Sequence, residues 1–383
     1  MKIAVISDFD TKGSSYFNII IPLCNGLAMK GHDVKAAGMG YKGEEHWNKF
    51  SIIPAANMKD VLVIIDNLKF LWEFDVLLVA LDILIQQGLM GYLDRTQAEY
   101  KYVGIFPVES DPMSFDFATA VMQMDKGLCI SKLGTEEAKK MNLNNVDYLE
   151  IGVDTNAWRP PEGDERNKVR NAYGIEPDTF VVLTVADNQE RKNLPVAMKA
   201  FADFADKVPN SKYVIVTRST LSAGWRLDEI AKRFGIQDKF IEIERGLPFK
   251  TLWGLYAMSD VFLLLSKAEG LSMPVLEAMA VGLPVIGTDC TAFVEHLSDN
   301  RGFLVDYLKD KKHGFPPIDP FGLGYRYWAS HFQATGKLLS IYKGKHRHDR
   351  EGAFEYVRSR TWDKTINMVN NVLEELVDGK ETA

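Results

Sequence analysis

Apolar residues along the chain alternate between short unbroken runs and longer stretches in which they recur every three or four positions. Buried parallel strands and their covering helices produce that rhythm. Lys2 to Ser7 (KIAVIS) predicts a strand. Tyr16 to Lys30 predicts a helix with Ile20, Leu23, Cys24 and Leu27 on one stripe, Gly31 as its cap, and the next strand beginning at Asp33 to Ala37. Apolar runs at 61–65, 76–81 and 102–107 predict further strands, so roughly the first 150 residues read as a doubly wound α/β domain. The second half repeats the rhythm. Phe180 to Val185, Tyr213 to Thr217 and Phe240 to Ile243 predict strands, and Leu194 to Phe204 and Trp225 to Phe234 predict helices.

The most informative stretch is Val261 to Asp289, VFLLLSKAEGLSMPVLEAMAVGLPVIGTD. Val261 to Leu265 reads as a strand buried on both faces, Pro274 suits the first turn of a helix that Gly282 closes, and Pro284 to Gly287 starts another strand. The loop after the first of these strands lies at the carboxyl edge, where open α/β sheets bind ligands. Glu269 stands at its tip and Glu277 about one turn into the helix. Between them, Gly270, Leu271 and Ser272 lead into a helix start whose backbone N–H groups lack partners within the helix and attract phosphate. A carboxylate accepts two neighbouring hydroxyls at once, as a ribose or sugar ring offers them, so phosphate plus polyol points to a nucleotide sugar. Spacing alone fits equally a solvated Glu269 and a Glu277 favoured by the helix dipole.

Composition narrows the classes. The chain has 383 residues, 46% hydrophobic and 25% charged, enough for two cored domains of an ordinary globular protein. A formal charge of −7 argues against nucleic-acid binding by bulk electrostatics. Cys24, Cys129 and Cys290 are few and far apart, which suits a reducing cytosol and offers no disulfide framework. No targeting signal opens the chain and no apolar run is long enough to span a membrane. The seven histidines have no metal-ligand spacing, and His346 and His348 sit in KGKHRHDR, which reads as a solvated connector.

The segment EGLSMPVLEAMAxGxPVI resembles the E-x7-E signature of the glycogen-synthase-like retaining glycosyltransferases, family 4 of the GT-B clan. Two further motifs follow the same family in order. Ile151 to Pro160, IGVDTNAWRP, resembles the segment that closes the N-terminal domain. Here Gly152 would relieve a tight turn, Asp154 would cap a turn and Trp158 would fill the hinge, with Pro160, Pro161 and EGDERNK as a linker. Ala186 to Asn193, ADNQERKN, resembles the loop in which a paired Arg and Lys neutralise the donor diphosphate. Lys192 matches the Lys, and Asp187 stands where the Arg is usual, with Arg191 as a substitute.

The resemblance implies a GT-B fold of two Rossmann-like, doubly wound domains facing across a cleft. Residues 1–155 would form the acceptor domain and 156–361 the nucleotide-sugar donor domain, with a C-terminal helix, about 362–383, packing back on the first. That helix carries Trp362, Ile366, Val369, Leu373 and Leu376 within a stretch predicted helical from Gly352 to Val377, after another helix over Tyr325 to Tyr342 and the polar loop from residue 306. The implied activity is metal-independent, retaining transfer of a sugar from a nucleotide-diphosphate sugar, a substrate rather than a cofactor, to an unidentified saccharide, lipid-linked or other acceptor in the cytoplasm. Glu269, Lys192 and Arg191 would serve catalysis. Gly270, Leu271, Ser272, Glu277, Gly13 and Asn188 would hold the donor, with Glu109 and Asp111 as acidic candidates in the N-terminal domain. Against the family pattern, the first loop holds only Gly13 and lacks the G-x-G-x-x-G dinucleotide fingerprint. A non-catalytic nucleotide-sugar-binding module, or an epimerase or phosphorylase on the same fold, are the alternatives.

Overall fold

A computed structural model of the chain describes residues 1–10, 12, 15–93, 99–109, 111–219, 224–309 and 324–379. The chain forms two compact units: Met1–Gly152 with Arg360–Ala383, and Val153–Ser359.

The first unit runs β1 (Lys2–Asp8), α1 (Ser15–Met29), β2 (Asp33–Met39), β3 (Ser51–Ala55), α2 (Met58–Leu71), β4 (Val76–Ala80), α3 (Ile83–Tyr92), β5 (Lys101–Phe106), α4 (Phe115–Met122), β6 (Lys126–Cys129), α5 (Lys132–Lys140) and β7 (Val146–Tyr148). Its seven strands are parallel in the order β3-β2-β1-β4-β5-β6-β7, so the winding reverses between β1 and β4. Val76–Ala80 is buried throughout, as a central strand covered on both faces must be.

The second unit runs α6 (Glu165–Ala172), β8 (Phe180–Val185), α7 (Leu194–Ala205), β9 (Ser211–Thr217), α8 (Leu227–Arg233), β10 (Phe240–Glu244), α9 (Phe249–Met258), β11 (Val261–Leu264), α10 (Met273–Val281), β12 (Val285–Thr288), α11 (Thr291–Leu297), β13 (Phe303–Val305), α12 (His331–Tyr342) and α13 (Arg350–Arg358). Its parallel sheet has the order β10-β9-β8-β11-β12-β13, reversing between β8 and β11. Gly282 closes α10 in the left-handed conformation at φ 86°, as its place after the helix predicts. The chain then returns to the first unit as α14 (Trp362–Asp378), which lies on α1. Gly26 makes room for this, because a Cβ there would sit 2.2 Å from Ile366 Cδ1.

Several local expectations are corrected. Residues 61–65 are helical, within α2. Val61, Ile65 and Leu68 form its buried stripe, and Asn57 caps it by accepting the Lys59 and Asp60 N–H groups. The stretch Gly352 to Val377 is two helices, because the turn at Ser359–Thr361 ends α13, and Thr361 caps α14 through its hydroxyl. Arg360 in that turn is almost wholly buried and donates to the Tyr148 hydroxyl and the Glu150 carboxylate. Tyr325 to Ser330 are not helical, since α12 starts at His331.

The linker expected over EGDERNK is largely α6, held by a bidentate Arg159–Glu165 pair at 2.9 Å. Trp158 packs inside the second unit, edge-on to Phe249 and Tyr256 at 5.1 Å each. Gly152 is required by close approach rather than by a turn: a Cβ there would lie 2.6 Å from the Trp362 backbone nitrogen. Asp154 does cap its turn, accepting the Asn156 and Ala157 N–H groups. The basic run is only partly a solvated connector, because the His346 and His348 rings pack on Phe303 at 5.6 and 5.7 Å.

Candidate active site

Two loops at the carboxyl edge of the second sheet meet where its winding reverses, the position at which open α/β sheets leave a ligand crevice. One follows β8 and contains a single 3-10 turn, Glu190–Lys192, ended by Asn193 in the left-handed conformation at φ 53°. The other follows β11 and leads into α10. Hydrogen bonds stitch them together, among them Asn193 Nδ2 to the Leu265 carbonyl at 3.2 Å, the Lys267 N–H to the Arg191 carbonyl at 2.8 Å, and Arg191 Nη1 to the Ala268 carbonyl at 2.8 Å.

Across this seam Lys192 Nζ donates to both carboxylate oxygens of Glu269, at 2.7 and 2.9 Å, and Arg191 Nη1 lies 3.2 Å from Oε2. Glu269 is only 3% exposed. Burial pushes its carboxyl upward, but the adjacent Lys192 and Arg191 charges outweigh that and hold it at about 2. The Glu269 backbone is fixed from α11: its N–H donates to Thr291 Oγ1 at 2.9 Å, and its carbonyl accepts the Ala292 N–H. Thr291 does this from φ 46°, a conformation costing a β-branched residue about 1–3 kcal/mol and retained only where surroundings enforce it.

After Glu269 the chain is buried through Met273. Among the described residues the N–H groups of Gly270, Leu271 and Ser272 meet no acceptor, and neither does the buried Ser272 hydroxyl. Buried backbone donors are seldom left unpaired, and three in succession at a helix start form an anion-binding concavity. Ser272 occupies the N-cap position of α10 in the left-handed conformation at φ 64°.

Glu277, one turn further on, accepts the Tyr256 hydroxyl at 2.9 Å on Oε2. It is buried, and burial raises its carboxyl to about 7, while the Tyr256 phenol is pushed well above its ordinary range by burial and by Glu277. The two acids of the motif therefore stand in opposite electrostatic states: Glu269 is an anion clamped by cations, and Glu277 is poised between acid and carboxylate near neutrality.

The other sequence candidates are placed as follows. Asp187 is engaged by Arg245 Nη1 at 2.5 Å, with Arg218 3.8 Å away. Both ends of the Asn188 carboxamide are taken by the Trp225 backbone, at 2.7 and 2.9 Å, so Asn188 shapes the neighbouring loop. Glu109 and Asp111 are half-buried at the carboxyl edge of β5 in the first unit. Gly13 lies outside the described residues. Among the described residues no cluster of His, Cys, Asp or Glu has the makings of a metal site, and no helix is long and apolar enough to cross a membrane. The three cysteines are buried.

Sequence reasoning passed over Tyr256, Thr291 and Lys267. Lys267 is 1% exposed, pairs with Glu190 and lies 3.3 Å above the Trp328 ring. It stands two residues before Glu269, and a lysine three residues past a strand buried on both faces was the available signal.

Residues 165–312 match the family Glycosyl transferases group 1, so the second unit carries a domain of that group. A GDP-mannose-dependent alpha-(1-6)-phosphatidylinositol monomannoside mannosyltransferase of Mycolicibacterium smegmatis is 28% identical over 169 residues, 42% of this chain and 43% of that protein. A D-inositol 3-phosphate glycosyltransferase of Paenarthrobacter aurescens is 29% identical over 178 residues, 43% of this chain and 40% of its own length. The chain thus spans less than half the length of these curated relatives. Among solved structures, sucrose-phosphate synthase from Thermosynechococcus elongatus superposes with a TM-score of 0.75 at 16% identity, covering 99% of this chain and 100% of the other. Anabaena HepE in complex with UDP-glucose gives 0.75 at 15%, covering 98% and 100%. The fold is GT-B, with two Rossmann-like units.

Proposed function

We propose that this group 1 glycosyl transferase domain belongs to a retaining glycosyltransferase that moves a sugar from a nucleotide-diphosphate sugar to a hydroxyl-bearing acceptor. The observation that carries the reading is the Lys192–Glu269 pair set against three unpaired N–H groups at the switch point. The diphosphate sits on the Gly270, Leu271 and Ser272 N–H groups and draws Lys192 and Arg191 towards its oxygens. Transfer forms a bond from the acceptor oxygen to the anomeric carbon and breaks the bond from that carbon to the diphosphate oxygen, which leaves with the electron pair. The acceptor gives up one proton. Negative charge grows on the departing oxygen, and preorganised cations and N–H dipoles stabilise it without rearranging.

Glu269, partly released by Lys192, orients the sugar hydroxyls and offsets positive charge on the ring. Glu277 accepts the ribose hydroxyls. The first unit takes the acceptor, with the acids Glu109 and Asp111, just past β5, as its candidate contacts. Because the leaving group is met by side-chain cations and backbone donors, the reaction proceeds in EDTA. The proposal places it in the cytoplasm, which three buried thiols and the lack of any disulfide suit.

Asp187 favours a second reading. With an acid engaged by Arg245 where an Arg is usual, diphosphate affinity could persist without turnover, as in a binding module. Incubation with UDP-, GDP- and ADP-sugars and a panel of saccharide and lipid-linked acceptors decides between them. The enzyme releases nucleoside diphosphate, forms a product that keeps the donor's anomeric configuration by NMR, and loses both with Glu269→Ala. Nucleotide binding with no turnover of any donor in the wild type selects the module.

A further inference from the structure

Beyond the pair that meets the donor, a buried imidazole holds the donor loop from behind. His296, in the last turn of α11, is fully buried. Its Nε2 lies 2.6 Å from the Leu271 carbonyl oxygen and its Nδ1 lies 2.9 Å from the Tyr356 hydroxyl on α13. A carbonyl only accepts, so Nε2 carries the hydrogen. In the neutral ring Nδ1 is then the acceptor, and the Tyr356 O–H donates to it. The Arg301 guanidinium lies 4.5 Å above the Tyr356 ring and holds the phenol in place. In the neutral ring the hydrogen bonds thus run from the Tyr356 hydroxyl through the imidazole to the Leu271 carbonyl.

The consequence follows from the planarity of the peptide bond. In a trans peptide the carbonyl of one residue and the N–H of the next point in opposite directions. Gripping the Leu271 oxygen on the α11 side aims the Ser272 N–H away from α11, and we take that as the side on which the unpaired donors of Gly270 and Leu271 meet an anion in the concavity. A flip of this one peptide would turn a carbonyl oxygen into that concavity and repel a phosphate. Ser272 is left-handed at φ 64°, and its hydroxyl makes no bond that would oppose the flip.

We propose that His296 is a positioning residue for the donor diphosphate: with Nε2–H held on the Leu271 carbonyl and the ring anchored by Tyr356, it locks the Leu271–Ser272 peptide in the phosphate-binding orientation. This rests on the donor-site reading above. Its test uses the geometry of the two ring nitrogens, because glutamine places its amide N–H near the Nε2 position and asparagine places its amide near Nδ1.

Binding of UDP, GDP or ADP, whichever the wild type takes, is measured by titration on His296→Gln, His296→Asn and Tyr356→Phe, together with the melting temperature of each. His296→Gln stays within about threefold of wild type, while His296→Asn loses about tenfold, the worth of one hydrogen bond. Tyr356→Phe, whose shape is unchanged, weakens binding while melting close to wild type and stands in if an asparagine at 296 fails to fold. In turnover the loss appears in the donor KM, with acceptor KM unchanged. Equal binding by wild type, His296→Asn and Tyr356→Phe overturns the inference, as does equal weakening by His296→Gln and His296→Asn. A wild type that binds no nucleoside diphosphate overturns instead the donor-site reading on which it stands.

Discussion

Lys192 reaches across from the loop after β8 to place its ammonium on both carboxylate oxygens of Glu269, a residue 77 positions later in the chain. Arg191 closes on the same carboxylate from 3.2 Å, so one buried acid is shared by two cations. Such an arrangement stores positive charge beside the unpaired N–H groups at the start of α10. In the proposed reaction a diphosphate would give these cations a second anion, and the same pair would receive the leaving group.

Replacing Lys192 with Ala separates binding from folding. Removing one partner of a buried ion pair costs about 3–5 kcal/mol, and Arg191, still within reach of Glu269, keeps the loss at the lower end of that range. The rate effect is larger, because a preorganised donor to developing charge is worth about 10²–10³-fold in kcat. Urea unfolding gives the first quantity and initial rates of nucleoside diphosphate release give the second.

The low value of Glu269 fixes a sign for acid stability. Its folded carboxyl, at about 2, lies below its ordinary 4.5, so its contribution is present above 4.5 and is lost as pH falls from there toward 2. The fall in urea midpoint on acidification is therefore steeper in the wild type than in Glu269→Gln. Equal slopes would mean that the carboxylate is not held by its cations.

Glu277 behaves in the opposite sense. Its folded carboxyl, raised to about 7 by burial, keeps its proton longer than the unfolded chain does, so its contribution to stability is full below the ordinary 4.5 and is lost as pH rises through 7. Ribose recognition by two accepting oxygens needs the ionised form, so nucleotide affinity rises as pH climbs through 7, and Glu277→Gln flattens the curve. Tyr256→Phe removes a hydrogen bond that lowers the carboxyl and moves the rise to higher pH. Titrations across this range check all three.

Gly152→Ala tests the return of the chain to its first unit. The added methyl would meet the Trp362 backbone at 2.6–2.7 Å, where no side chain can step aside, and overpacking of this kind costs about 1–3 kcal/mol. The melting temperature falls, while nucleotide binding at the Lys192–Glu269 site is retained.

The parts of this protein that declare themselves locally were legible in its sequence. An apolar run, a Pro in the first helical turn and a Gly past the last one define β11 and α10 without any partner. The same reasoning fails at Val61–Ile65, where a run rich in β-branched residues imitates a strand and only the Asn57 cap and the spacing of Val61, Ile65 and Leu68 mark a helix. At Ser359–Thr361 a helical pattern continues across a turn that Arg360 fixes from within the fold, through Tyr148 and Glu150.

Site residues divide in the same way. Glu269, Glu277 and Lys192 lie in a spacing that a family resemblance picks out, and the structure brings Lys192 onto the Glu269 carboxylate. Tyr256, Thr291, His296 and Tyr356 act through contacts between elements distant in sequence. Thr291 is recognisable only by its φ of 46°, His296 only by what its two nitrogens touch. Asn188 lies in a donor-loop motif, and what its sequence did not reveal is that the Trp225 backbone engages both ends of its amide.

Titration of nucleoside diphosphate against the corresponding monophosphate, on wild type and Lys192→Ala at one salt concentration, bears most directly on the anion pocket. A pocket built from the α10 start, Lys192 and Arg191 gives the wild type a clear preference for the diphosphate, and that preference shrinks at least about tenfold in the variant, as loss of one charge-assisted hydrogen bond requires. Equal affinity for the two nucleotides in the wild type, or an undiminished preference in Lys192→Ala with its fold intact, would contradict a diphosphate held at this seam.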